Sequence, residues 1–146
     1  MITFTVPAVP VPQPRQKQRV VRSKDGKAFA TNYTPRDHPV QTFKATVRLA
    51  LSQAYKGPPL AGPLTMTVLF LMPRPNAIIW KTKPMPRQPH TATPDLDNLL
   101  KSLKDALKGL AWLDDSQVFQ VEAEKQVCAG DESARVEVQI QAKENV

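Results

Sequence analysis

The stretch PDLDNLLKSLKDAL, residues 94–107, carries two patterns at once. Leu96, Leu99, Leu100, Leu103 and Leu107 recur at i, i+3, i+4, i+7 and i+11, one continuous apolar stripe that predicts an amphipathic helix running from Asp95. Acids in its first turn and Lys104 and Lys108 toward its end suit the helix dipole, and Gly109 is a stop signal. The second pattern is chemical. Asp95 and Asp97 sit together at the helix start, Lys101 lies four residues after Asp97 on the same face, and Asp114-Asp115 follow in the next connection.

Outward from this helix the chain alternates strand and helix signals. LTMTVLFLM, residues 64–72, has the β-rich composition of a strand, and ITFTV at the start alternates apolar and polar residues. Phe43, Val47, Ala50, Leu51 and Ala54 predict a helix over about 40–55, stopped by Gly57-Pro58-Pro59. Downstream, residues 117–127 place Phe119, Val121 and Ala123 on one strand face, and residues 135–142 do the same with Val136, Val138 and Ile140. The order is β, α, β, α, β, β. It predicts a single α+β (α/β) domain spanning 1–146, with a mixed sheet of about four strands and two main helices packed on it.

Two proline-rich segments interrupt this order. Residues 7–32 read as a basic loop, with a short hairpin about the Asp25-Gly26 turn signal. Residues 73–93 hold five prolines, five basic residues counting His90, and no acid, which predicts an irregular loop ending against the aspartates. All 15 prolines lie at or before Pro94.

The formal charge is +7, unevenly spread: residues 1–94 carry a net +12 and residues 95–146 a net −5. A basic block of this size draws polyanions and predicts nucleic-acid contact that weakens with salt. Arg15, Lys17, Arg19 and Arg22 in the first loop, and Arg74, Lys81, Lys83 and Arg87 in the second, are the candidate phosphate contacts. Trp80 among the latter reads either as a platform for an unpaired base or as an anchor that tucks the loop onto the core or a partner. No run of eighteen apolar residues argues for a membrane span, and the N-terminus lacks the pattern of a signal peptide. A single cysteine, Cys128, fits a reducing, cytoplasmic setting.

If Asp95, Asp97 and Asp115 converge, their repulsion calls for a cation, and hard carboxylate oxygens suit Mg²⁺, with Mn²⁺ as a substitute. Lys101 is then placed to meet charge developing on a phosphodiester. No Cys/His cluster serves zinc, and nothing points to an organic cofactor. A helix of about 15 residues spans about 22 Å, so the chain has to fold back to bring Asp115 near Asp95. The same residues also read blandly, as a helix cap, an i, i+4 ion pair and a turn in a non-catalytic nucleic-acid-binding module. His90 reads as incidental, Trp112 and Leu113 as core residues under the helix end, Cys128 as a chemically idle strand end, and Glu122 and Glu124 as neighbours on one strand face.

PDLDNLLKSLKDAL followed by GLAWLDDSQV resembles the signature of the RusA family of Holliday-junction resolvases, closely over residues 94–118. The basic run QKQR and the closing strand VEVQI agree with it, whereas Thr93 stands where the family often has lysine. The resemblance implies a homodimeric, Mg²⁺-dependent endonuclease that makes paired symmetric nicks in four-way DNA junctions, in recombination and repair, often of phage origin. A related nuclease acting on other branched DNA is the neighbouring alternative. Carried over, it makes Asp95, Asp97 and Asp115 the metal-binding acids and Lys101 the catalytic lysine, with Asp114 supporting Asp115 rather than binding metal itself.

Overall fold

The computed structural model describes residues 1–14 and 17–143, and only the backbone of Lys17, Gln18, Phe29, Thr31 and Asn32. The strands are β1 (Ile2–Val6), β2 (Lys17–Arg22), β3 (Ala28–Tyr33), β4 (Leu64–Met72), β5 (Gln88–Pro89), β6 (Val118–Val127) and β7 (Arg135–Ala142); the helices are α1 (Pro39–Ala54) and α2 (Leu96–Leu107). One mixed sheet runs in the order β1-β7-β4-β6-β5. It has five strands rather than the four expected. The addition is the two-residue β5 inside the proline-rich loop, held at an edge where Pro89 has no N–H to leave unpaired.

β4 and β6 are parallel, and a parallel pair needs a long crossover. The stretch between them supplies it: the loop 73–93, then α2, then the turn containing Asp115. The crossover therefore decides where the acidic cluster lies.

Period-two burial puts Phe4, Val68, Phe70, Val138 and Ile140 on the sheet face that packs against the helices. α1 contributes Phe43, Val47 and Leu51, and α2 contributes Leu99, Leu103 and Leu107, all buried, while Leu96 and Leu100 flank the stripe half-buried. Between the helices the buried Lys44 ammonium meets Asp105 at 2.5 Å, and Arg48 Nε donates to the Ala106 carbonyl at 3.2 Å. The N-terminal segment crosses α2: Gln13 N donates to the Asn98 carbonyl at 2.9 Å, and the buried Ser102 hydroxyl donates to the Val11 carbonyl at 2.6 Å.

One further expectation holds and two need amendment. The first loop does contain the hairpin, β2 paired with β3 as a separate two-stranded sheet, turning through Gly26 at φ 86°. Phe119 does not share the helix-facing side of β6 with Val121 and Ala123, and Val121 itself is 38% exposed. The β4–β6 register slips after Leu64, so that Leu64 faces Val118 and Thr65 faces Gln120, and the extra residue, Phe119, is left half exposed. Leu113 is 70% exposed, whereas Trp112 is fully buried. No helix of the described residues is long and apolar enough to cross a membrane.

Candidate active site

Asp95 is the N-cap of α2, with extended backbone at φ −70° and ψ 146°, yet its carboxylate makes no capping hydrogen bond. Asp97 stands in the first helical turn, where the helix dipole favours a negative charge. Both are exposed, and among the described residues neither is tied up in an ion pair. The Asp97–Lys101 pair that i, i+4 spacing permits is likewise not formed.

The approach to Asp95 is fastened from the sheet. Lys125, on the helix-facing side of β6, sends its ammonium to the Ala92 carbonyl at 2.8 Å and the Pro94 carbonyl at 2.7 Å. Its own carbonyl accepts from His90 N at 3.1 Å. His90 Nδ1 is buried without a partner, and burial together with the Lys125 charge lowers the imidazole pKa, which favours the neutral ring.

Asp115 is brought back toward α2 by the turn after the helix. Gly109, at φ 90°, reverses the chain, and its N–H donates to the Trp112 carbonyl at 2.6 Å. Trp112 plugs the core beneath, and its indole Nε1 donates to Asp115 Oδ1 at 2.7 Å. Asp114 shapes the same turn. Its carboxylate accepts from Ser116 N at 3.0 Å, which holds its pKa down, and Gln117 returns the bond by accepting from Asp114 N at 3.1 Å. Gln117 Nε2 then donates to the Leu60 carbonyl at 2.9 Å, so the turn is locked to the body of the domain.

Asp115 and Lys101 consequently line one shallow pocket, together with Gln13, Lys104 and Asp105. The fold-back reaches the middle of α2, and Asp97 lies one helical turn N-terminal of Lys101. Among the described residues no three acidic, histidine or cysteine side chains stand together as a ready-made metal cage. The donor set nonetheless suits Mg²⁺, which commonly takes one or two carboxylates directly and keeps water and phosphate oxygens elsewhere. Asp95 and Asp97 present uncommitted carboxylates, and Asp115 retains Oδ2 beyond its indole bond.

The basic residues divide by what they already hold. Arg15 lies outside the described residues, as does the Lys17 side chain. Arg19 and Arg22 are exposed on β2, Arg19 over the Tyr33 ring at 5.6 Å. Arg74 is half-buried and donates to the carbonyls of Ile78 at 2.7 Å, Pro86 at 2.9 Å and Cys128 at 3.2 Å. Arg87 grips Glu132 through two nitrogens, at 2.8 and 2.5 Å. These two arginines organise the loop, whereas Lys81 and Lys83 are exposed and form no ion pair among the described residues. Trp80 is half-buried between Arg74, 5.1 Å from its ring centre, and Lys83, 5.6 Å away. Glu122 and Glu124 are exposed on β6.

Gln13 and Lys125 are site neighbours that the sequence did not single out. Gln13 is a lone amide among prolines, and Lys125 is a lysine at an apolar-face position of a strand. That second mismatch is the signal that was there to be read.

The family model described as Endodeoxyribonuclease RusA matches residues 7–141. Over 144 residues the chain is 32% identical to the uncharacterized protein YqaN of Bacillus subtilis (strain 168), covering 95% of this chain and 94% of that one. Over 51 residues it is 45% identical to the crossover junction endodeoxyribonuclease rusA of Lactococcus phage r1t, covering 34% of this chain and 37% of that protein.

Proposed function

The chain belongs to the RusA family of endodeoxyribonucleases, and on that premise we propose that it resolves four-way DNA junctions by Mg²⁺-dependent hydrolysis, as a homodimer. The observation that carries the reading is the pocket shared by Lys101 and Asp115, with the uncommitted carboxylates of Asp95 and Asp97 along the same helix. In this reading Asp95, Asp97 and Asp115 would hold the metal. When bound, the ion polarises the scissile phosphodiester and makes an attacking water more acidic. Mn²⁺ serves in its place.

The protein's own groups do the rest. Lys101 stabilises negative charge gathering on the phosphate or leaving oxygen. Trp112 holds Asp115 at a fixed angle, and Asp114 holds the turn that presents it. Arg19, Arg22, Lys81 and Lys83 contact backbone phosphates, joined by Arg15 and Lys17; Arg74 and Arg87 act through the loop they organise. A junction needs two symmetric cuts, and an isologous dimer presents two equivalent sites. The setting is the cytoplasm, in recombination and repair of cellular or phage DNA.

Asp97→Asn tests the assignment, because it removes a metal-binding charge without changing side-chain size. The variant is expected to bind a four-way junction at least as tightly as the parent and to lose cleavage by 10²-fold or more, on the order of a misplaced catalytic group. Cleavage at the parental rate would show that the site lies elsewhere.

A further inference from the structure

We propose that Gln13 is a further residue of the cleavage site, contacting a phosphate of the bound DNA strand through its side-chain amide; this rests on the reading of Lys101 and Asp115 as that site. Gln13 lines the pocket with Lys101, Lys104, Asp105 and Asp115. Its segment is anchored without the side chain, by its backbone N–H on the Asn98 carbonyl at 2.9 Å and by the Ser102 hydroxyl on the Val11 carbonyl at 2.6 Å. The side chain therefore has no work in the fold. Its Oε1 is buried with no partner among the described residues, so no hydrogen bond of that oxygen ties the amide to the fold, and a phosphate contact falls to the amide NH₂, since Oε1 can only accept.

The surroundings select the ligand. Two ammonium groups, Lys101 and Lys104, line the pocket against Asp105 and Asp115, and Asp105 is already paired with Lys44. An amide donor beside two lysines suits a non-bridging phosphate oxygen, to which a neutral side chain adds direction rather than charge. In this reading Gln13, carried by the N-terminal segment that crosses α2, helps fix how the strand enters.

The test compares junction cleavage in Mg²⁺ by the parent, Gln13→Met and Gln13→Glu, with Asp97→Asn as the marker of the underlying reading. Gln13→Met keeps the shape and removes the donor; kcat/KM is expected to fall roughly tenfold, as for one hydrogen bond to a charged group. Gln13→Glu, equal in size, is expected to be worse than Met because its carboxylate repels the phosphate. The salt slope of junction binding stays unchanged in Gln13→Met and shallows in Lys101→Ala, since only the lysine releases counterions. Cleavage by Gln13→Met at the parental kcat/KM, or Gln13→Glu outperforming Met, overturns the proposal while Asp97→Asn remains inactive. If Asp97→Asn cuts normally, the site reading falls and this inference with it.

Discussion

Lys125→Met separates the fastening of the site from the fold. The Lys125 ammonium makes two bonds, to the Ala92 and Pro94 carbonyls at 2.8 and 2.7 Å, and Asp95 is the next residue. Methionine keeps the stem packed on the helix-facing side of β6 but cannot donate. A bond from a charged group contributes about 1.5–3 kcal/mol when well shielded, and the partial exposure here lowers two such bonds to roughly 1–2 kcal/mol together. For a domain of this size that is a loss of about 3–8 °C in melting temperature, read by calorimetry or circular dichroism. The effect on cleavage should be larger. Freed from the sheet, the chain before Asp95 shifts the carboxylate, and misplacement by about 1 Å costs on the order of 10²-fold in rate. Half-saturation by Mg²⁺ should rise in parallel, measured by metal titration of junction cleavage and by the calorimetric heat of Mg²⁺ binding. Parental cleavage and metal dependence in a folded Lys125→Met would refute the claim that this lysine positions Asp95.

Trp112→Phe keeps an aromatic plug but removes the donor to Asp115 Oδ1; about 1–3 kcal/mol of stability and a larger share of kcat should be lost, measured by denaturant unfolding and junction cleavage. Glu132, held by Arg87, the Ala129 N–H and Arg135, has its pKa lowered to about 2. The unfolded chain therefore takes up this proton first, and the stability it adds is full above about pH 4.5 and declines as pH falls toward 2. In melting curves across that range, Glu132→Gln should lose part of the slope seen in the parent; an unchanged slope would contradict the pairing. Arg19→Ala with Arg22→Ala should weaken junction binding at low salt and shallow its salt dependence by about two ions' worth, with kcat preserved at saturating DNA.

The parts legible in the sequence are those with local causes. The α2 stripe follows from 3.6-residue periodicity, and β1, β4 and β7 from period-two alternation, so their burial needed no tertiary knowledge. β6 was legible as a strand but not in its facing, because the slip at Phe119 depends on how β4 pairs with it. β5 escaped because two residues around a proline carry no pattern. The site divides in the same way. Asp95, Asp97 and Lys101 share one helix and could be related by spacing, whereas the return of Asp115 rests on Gly109 and on burial of Trp112. Arg74 and Arg87 looked like free cations because the loop holds no acid. The Glu132 that meets Arg87 arrives from 45 residues downstream, and the carbonyls that meet Arg74 come from across the loop and from Cys128. Lys125 finds its partners 31 and 33 residues upstream, a distance no motif scan covers.

The most direct measurement is cleavage of a synthetic four-way junction beside a linear duplex of the same arms, in Mg²⁺ and in EDTA. The account predicts paired, symmetric nicks in the junction alone, abolished by EDTA. Tight junction binding with no cut in either Mg²⁺ or Mn²⁺ would contradict it and leave the acids as caps and turns of a DNA-binding module.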